Sequence, residues 1–244
     1  MMSPKSFPRL SNRNAAKTMI SHKYKCIFIH IPKCAGTSIE SALGHLDNHQ
    51  GRDGQDHRSV RMIEQPFLTV YSLASKENIR EILERMRHQF RTARNPRNKL
   101  TVTRKQFKEY YKFAIVRNPW ARAFSWYQNV MKDEIHKKNY EIFGDMPFKD
   151  FLVQYAGKGM LQPQTYWLKN FDGSIRLDYI GRFETLTEDF RKICRELNIS
   201  HIKLPHERKG TGLDHTAYYD NETIRIVSEI YSEEIALFDY TFNA

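Results

Sequence analysis

Two apolar runs, each ending at a short turn that opens a helix, constrain this chain most. The first is KCIFIHI (25–31), followed by PKCAG and then TSIE. The second is YKFAIV (111–116), followed by RNPW and then ARAFSWYQ. Both are rich in Ile, Phe or Val and fit strands buried on two faces. Strands of that kind lie parallel, and parallel neighbours need crossovers that carry helices.

The helices are legible between and after the runs. TSIESALGHL (37–46) spaces Ile39, Ala42, Leu43 and Leu46 on one helical face, with Thr37 or Ser38 near the N-cap. DNHQGRDGQDH (47–57) is a loop, and HRSVRMIEQ (57–65) opens a second helix. SKENIREILERMRHQF (75–90) is amphipathic, its expected inner face being Ile79, Ile82, Leu83 and Met86. The stretch 91–108 is very basic and reads as an exposed connection. Pro119 suits the first turn of a helix reaching about Lys132. MPFKDFLVQYA (146–156) is a short helix with Phe148, Phe151 and Leu152 inward, and LDYIGRFE (177–184) is a third strand. TLTEDFRKICRELN (185–198) buries Leu186, Phe190, Ile193 and Leu197 and opens on a Thr-x-x-Glu capping box at Thr185. NETIRIVSEIYSEEIALF (221–238) turns Ile224, Val227, Ile230 and Tyr231 inward. Strands alternate with helices, so the class is α/β with a mainly parallel sheet. The expected organisation is a flexible arm over 1–22 and one domain over 23–244, with a basic helical insert at 66–106.

Composition narrows the partners. The 244 residues are 40% hydrophobic and 13% aromatic, enough for one sizeable core and unlike a disordered chain. A net charge of +11 favours anionic partners: nucleotides, nucleic acid, acidic glycans or an anionic membrane. No apolar run reaches the roughly 18–20 residues of a membrane span, and the first twenty-odd residues lack the apolar centre of a secretory signal. Cys26, Cys34 and Cys194 show no metal or disulfide spacing, so a reducing, cytoplasmic setting and no metal are expected.

Strand, tight loop and helix N-terminus together suit a phosphate, because backbone N–H groups and the helix dipole face it. At 28–40 the lysine, Lys33, stands before Gly36, whereas the common nucleotide loop places it after the glycine. In the second loop Arg117 ends the strand and Ser125 lies eight residues on, about two helical turns. A guanidinium fork and a hydroxyl so placed can converge on a second phosphate. Both loops belong at the carboxyl ends of parallel strands, where α/β sheets bind ligands.

IPKCAGTS (31–38) resembles the 5′-phosphosulfate loop of sulfotransferases, and FAIVRNPWARAFSWY (113–127) resembles their 3′-phosphate motif. DYIGRFETLTEDF (178–190) and the ending at 218–242 are similar to segments of the carbohydrate branch, which includes the heparan 2-O-sulfotransferases and bacterial relatives. The resemblance implies a P-loop-like three-layer fold with a central, mainly parallel sheet flanked by helices. It implies the donor 3′-phosphoadenosine 5′-phosphosulfate (PAPS), with the bisphosphate PAP as product. Lys33 would contact the oxygen between phosphorus and sulfur, where charge grows as the bond breaks. The loop Cys34, Ala35, Gly36, Thr37 and Ser38 would hold the 5′-phosphate, while Arg117 and Ser125 would hold the 3′-phosphate. Cys34 and Ala35 stand where family members often have Thr and Gly or Ala, so one side-chain hydroxyl is absent. Arg208, Lys209 and Gly210 resemble a loop that closes over the 3′-phosphate in cytosolic members.

The acceptor hydroxyl needs a general base. His57, in a segment resembling the family's His-x-x-x-Arg stretch, is the candidate, with Asp56 and Glu64 as carboxylate rivals. LQPQTYWL (161–168) resembles an acceptor-side segment, with Gln162, Gln164 and Trp167 available to meet a sugar. Arg87, Arg91, Arg94, Arg97, Lys99, Arg104 and Lys105 are candidates to attract an anionic glycan. The alternatives are a P-loop kinase-type phosphotransferase and a basic nucleic-acid-binding module. The lysine before the glycine and the second phosphate motif weigh against the first. The lack of an aromatic-basic platform or helix-turn-helix pattern weighs against the second, so no nucleic-acid partner is expected. Acceptor identity and oligomeric state are not written in the sequence.

Overall fold

The computed structural model describes residues 19–47, 49, 54–65, 73, 75–205 and 214–243. Strand β1 (Ile20–Ser21) leads into β2 (Cys26–Ile29), and α1 (Gly36–Ala42), α2 (Val60–Ile63), α3 (Lys76–Phe90) and α4 (Arg104–Glu109) lead on to β3 (Tyr111–Val116). Helices α5 (Pro119–Met131), α6 (Glu134–Asn139), α7 (Phe148–Tyr155) and α8 (Gln164–Leu168) precede β4 (Tyr179–Arg182). The chain continues through α9 (Leu186–Glu196), α10 (Asn221–Ile230) and α11 (Ser232–Phe238).

The strands form one mixed sheet in the order β1-β2-β3-β4, flanked by helices. Strand β1 runs antiparallel to β2, and the other pairings are parallel. Every residue of β2, and all of β3 after Tyr111, is buried, which is why neither run alternates polar with apolar. Phe28 stacks on Phe113 at 5.1 Å, and Ile29 pairs with Ala114 near the strand ends. Because β2 and β3 are parallel neighbours, roughly 5 Å apart, the loops that follow them must open at the same edge of the sheet.

Several expectations are corrected. Residues 19–21 belong to the sheet rather than to an arm: Met19 and Ile20 are fully buried, and Phe28 N donates to Met19 O at 2.8 Å. Helix α3 is turned over, with Ile79, Leu83 and Met86 outward and Asn78 and Glu81 buried. Its inner face is held by polar bonds: Asn78 Nδ2 donates to Phe171 O at 2.8 Å, and Ser59 and Tyr166 donate to the Glu81 carboxylate. The Thr185 capping box does not form, because the Thr185 hydroxyl donates to Asp189 at 2.8 Å. Asp189 also accepts from Arg182 N at 2.7 Å and so ties β4 to α9. The helix expected over 221–238 breaks at Tyr231, whose buried hydroxyl donates to Leu161 O at 2.7 Å, and Ile230 faces outward.

The connection 91–108 is more than solvated chain. A 3-10 turn, Pro96–Lys99, and α4 form there, and Asn95, Asn98 and Val102 are buried. Asn95 Nδ2 donates to Gly54 O at 3.0 Å and Asn98 Nδ2 to Gln55 O at 3.2 Å, so the basic insert clamps the segment that leads to His57. Among the described residues, no helix is long and apolar enough to cross a membrane.

Candidate functional site

The first loop is built by a proline and two left-handed residues. Pro32 has no N–H, and Cys34 N closes a turn onto Ile31 O at 3.3 Å. Lys33 (φ 68°) and Ala35 (φ 63°) flank Cys34 with positive φ. A non-glycine residue there costs on the order of 1–3 kcal/mol, and such strain gathers at ligand sites. Reversing hand in this way turns successive N–H groups to one side, the arrangement of an anion-binding nest. Among the described residues, the amides of Ala35, Gly36 and Thr37 donate to no other backbone group, whereas Ser38 N and Ile39 N are spent on Ala35 O. Ala35 is the N-cap of α1, so neither Thr37 nor Ser38 caps the helix. The Thr37 hydroxyl, exposed, accepts from Gln55.

Cys34 departs from its expected role. Its amide is committed inside the turn, and its buried thiol lies 3.4 Å from Gln164 Oε1. Burial pushes the thiol up to about 12, which leaves it a packing residue and no nucleophile.

The second loop meets the first directly. Arg117 Nη1 donates to Lys33 O at 3.1 Å, and its guanidinium stacks over Phe183 at 4.1 Å. Arg117 Nε is buried with no hydrogen-bond partner among the described residues. On α5, Arg122 Nε donates to Pro32 O at 3.1 Å, and Lys33 Nζ donates to Asn129 Oδ1 at 3.4 Å. Ser125 lies between these two on the same helical face, three residues after Arg122 and four before Asn129. That face lies against the Pro32–Lys33 turn through Arg122 and Asn129. Arg122 and Asn129 were missed in the sequence; their i−3 and i+4 spacing from Ser125 was the available signal.

Gln164 locks the two loops together. It is fully buried, accepts from Arg117 N at 2.8 Å and donates to Arg117 O at 2.8 Å and Glu234 Oε1 at 2.9 Å. It is therefore a structural tie and not a sugar contact, and Trp167 is likewise core. Gln162 is half-buried, its amide closing a turn onto Gly159 O at 3.2 Å.

His57 stands beside the first loop. Its ring lies 4.1 Å from that of His30, and its Nδ1 is 3.3 Å from His30 O. A carbonyl only accepts, so Nδ1 carries the proton and Nε2 keeps its lone pair. Burial, and then the neighbouring His30, hold the pKa of His57 down at about 3, so the ring is neutral at pH 7. Behind it, His30 Nδ1 sits 2.9 Å from Glu40 Oε1, which also accepts from Asp56 N at 3.1 Å. Burial pushes Glu40 up to about 7 and His30 down to about 3. Asp56 is clamped by Arg58, with Nη2 to Oδ2 at 2.6 Å, and Glu64 accepts from Asn170 at 3.0 Å. Both Asp56 oxygens are thus taken by Arg58, whereas the Nε2 lone pair of His57 is held by no hydrogen bond among the described residues. His30 and Glu40 were missed because ten residues separate a strand end from a helix.

Charge concentrates at Lys33. Burial, then Arg117 and to a smaller extent Lys132, hold its pKa down at about 8. Of the basic residues assigned to an anionic acceptor, Arg97 is a structural clamp, its Nη1 donating to His45 O at 2.8 Å and to Gly44 O. Arg87 pairs with Glu84 at 2.6 Å. Arg208, Lys209 and Gly210 lie outside the described residues.

The two loops meet through the Arg117–Lys33 O bond, with Lys33 between them and the neutral His57 beside the first. No curated protein and no solved structure matches the chain. A family model described as the sulfotransferase family matches residues 16–241. That span covers nearly the whole chain, which therefore belongs to the sulfotransferase family, enzymes that transfer sulfuryl groups.

Proposed function

We propose that the chain moves a sulfuryl group from PAPS to a hydroxyl of a carbohydrate or glycolipid acceptor by direct in-line transfer, on a P-loop-like scaffold. The observation that carries this reading is the Arg117–Lys33 O bond, which joins two anion loops around one cation. A donor with a 5′-phosphosulfate and a separate 3′-phosphate needs two anion sites. The free amides of Ala35, Gly36 and Thr37 suit the first, and the unpartnered Nε of Arg117, with the nearby Ser125 face, suits the second. When bound, the donor supplies a sulfuryl group already activated by its phosphate leaving group.

In this reading Lys33 holds positive charge at the bridging oxygen, a stabilisation that grows toward the transition state. His57 takes the acceptor proton at Nε2. The anionic donor would favour the imidazolium and raise the low pKa that His57 has in the free protein. Three free, buried cysteines support a reducing, cytoplasmic setting.

The test has two arms. Calorimetry should show tighter binding of PAP than of ATP with Mg²⁺; preference for ATP would overturn the donor. A labelled-sulfate transfer screen across glycans, lipids and phenols should then find the acceptor class. Near-normal turnover by His57→Ala would remove His57 from the chemistry.

A further inference from the structure

Helix α3 carries an apolar stripe that no described part of the fold covers. Its 15 residues span roughly 22 Å. Ile79 (42% exposed), Leu83 (47%), Met86 (52%) and Phe90 (86%) follow one another at spacings of four, three and four residues. An amphipathic helix on a globular body normally turns such a stripe to the core. Here the opposite face does the anchoring. Asn78 and Glu81 bond Phe171, Ser59 and Tyr166, Glu77 pairs with Arg61 at 3.0 Å, and Arg85 donates to Glu64 O.

One edge of the stripe is cationic. Lys76, Arg80, Arg87 and Arg91 follow it at helical spacing, and all are exposed. Glu84 lies beyond this row and is engaged by Arg87 at 2.6 Å. An antiparallel second copy packed on the stripe would bring Arg80 and Arg87 against their own counterparts, which disfavours self-pairing. Exposed apolar residues beside a basic row match a helix lying in a membrane interface, where the apolar side enters the headgroup boundary and cations meet lipid phosphate. The net charge of +11 adds attraction to any anionic surface.

We propose that the outer face of α3 docks on an anionic lipid bilayer, with Ile79, Leu83, Met86 and Phe90 inserted and Lys76, Arg80, Arg87 and Arg91 on the headgroups. This does not depend on the identity of donor or acceptor. Each basic residue near such a surface contributes on the order of fivefold in binding.

The test is co-sedimentation of the full chain with vesicles. With roughly 3:1 phosphatidylcholine:phosphatidylserine vesicles, the protein should pellet; with phosphatidylcholine alone, binding should fall at least tenfold. Leu83→Gln with Met86→Gln should weaken anionic-vesicle binding at least tenfold while the melting temperature holds, since both side chains are half-exposed. Arg80→Gln with Arg87→Gln should weaken it about 25-fold, two cations at fivefold each. The proposal is overturned if anionic vesicles leave the protein in solution, or if either double variant pellets like the parent. It is also overturned if sedimentation velocity shows a dimer that Leu83→Gln with Met86→Gln dissolves, which would assign the stripe to a second copy.

Discussion

Gly36→Ala is the sharpest perturbation of the site, because two rules disagree about its sign. Gly36 opens α1, and alanine in a helix gains up to about 1 kcal/mol over glycine. The structure predicts the reverse. A Cβ at position 36 would enter the His30 imidazole, well inside the 3.0 Å that real Cβ contacts keep. The ring has nowhere to go: it is 2% exposed, stacked against Phe28 and His57, and fixed to Glu40 at 2.9 Å. Forcing a methyl into a packed core costs about 1–3 kcal/mol. Displacing His30 removes one of the two bonds to Glu40 Oε1 and leaves the buried carboxylate on the Asp56 N bond, for about 1–3 kcal/mol more. After the helical gain, the net loss is about 3 kcal/mol, or roughly 6–12 °C in Tm for a domain of this size. His30→Ala should cost about 3 kcal/mol on its own through lost packing and the lost bond to Glu40. The double variant should cost no more than His30→Ala alone, because the clash has gone. Thermal and urea melts of the three variants decide the matter. Additive losses, or a Gly36→Ala protein melting within about 2 °C of the parent, would refute the placement of His30 beneath the loop.

Three further outcomes follow from the same geometry. Lys33 has a folded pKa near 8 against an ordinary 10.5, so the unfolded chain binds its proton more tightly, and stability from this group rises as pH climbs from about 8 toward 10.5. PAP binding should instead weaken through that window as Lys33 loses charge, and Lys33→Arg should remove the decline; calorimetry across pH reads both. Arg117→Lys loses the Nη1 bond to Lys33 O and the stack on Phe183, and PAP affinity measured by calorimetry should drop about ten- to hundredfold. Gln164→Glu sets a second carboxylate against buried Glu234, whose pKa burial already raises, so stability should fall by about 3 kcal/mol or more at pH 8. The new carboxylate would have a raised folded pKa, so the penalty grows as pH rises above about 4.5; a Tm difference from the parent as large at pH 5 as at pH 8 would contradict this.

How much of this was legible in the sequence follows from the range of the forces involved. β3 and the start of α5 follow from an apolar run and a proline, because strand burial and helix initiation are local. The tight turn after β2 was legible for the same reason: Pro32, Lys33 and Gly36 lie within five positions. Helix α3 shows where local pattern fails. Its apolar stripe was visible, but the side that meets the body is chosen by Ser59, Arg61, Tyr166 and Phe171, partners up to about ninety residues away. Gln164 makes the same point within the site. Nothing near LQPQTYWL says that its side chain will span Arg117 and Glu234, 47 and 70 residues distant. A buried amide surrounded by four backbone and side-chain partners must satisfy all of them. That requirement sets where the two loops sit, and it puts the geometry of the site under the control of residues that no anion touches. Their substitution should therefore shift both loops together.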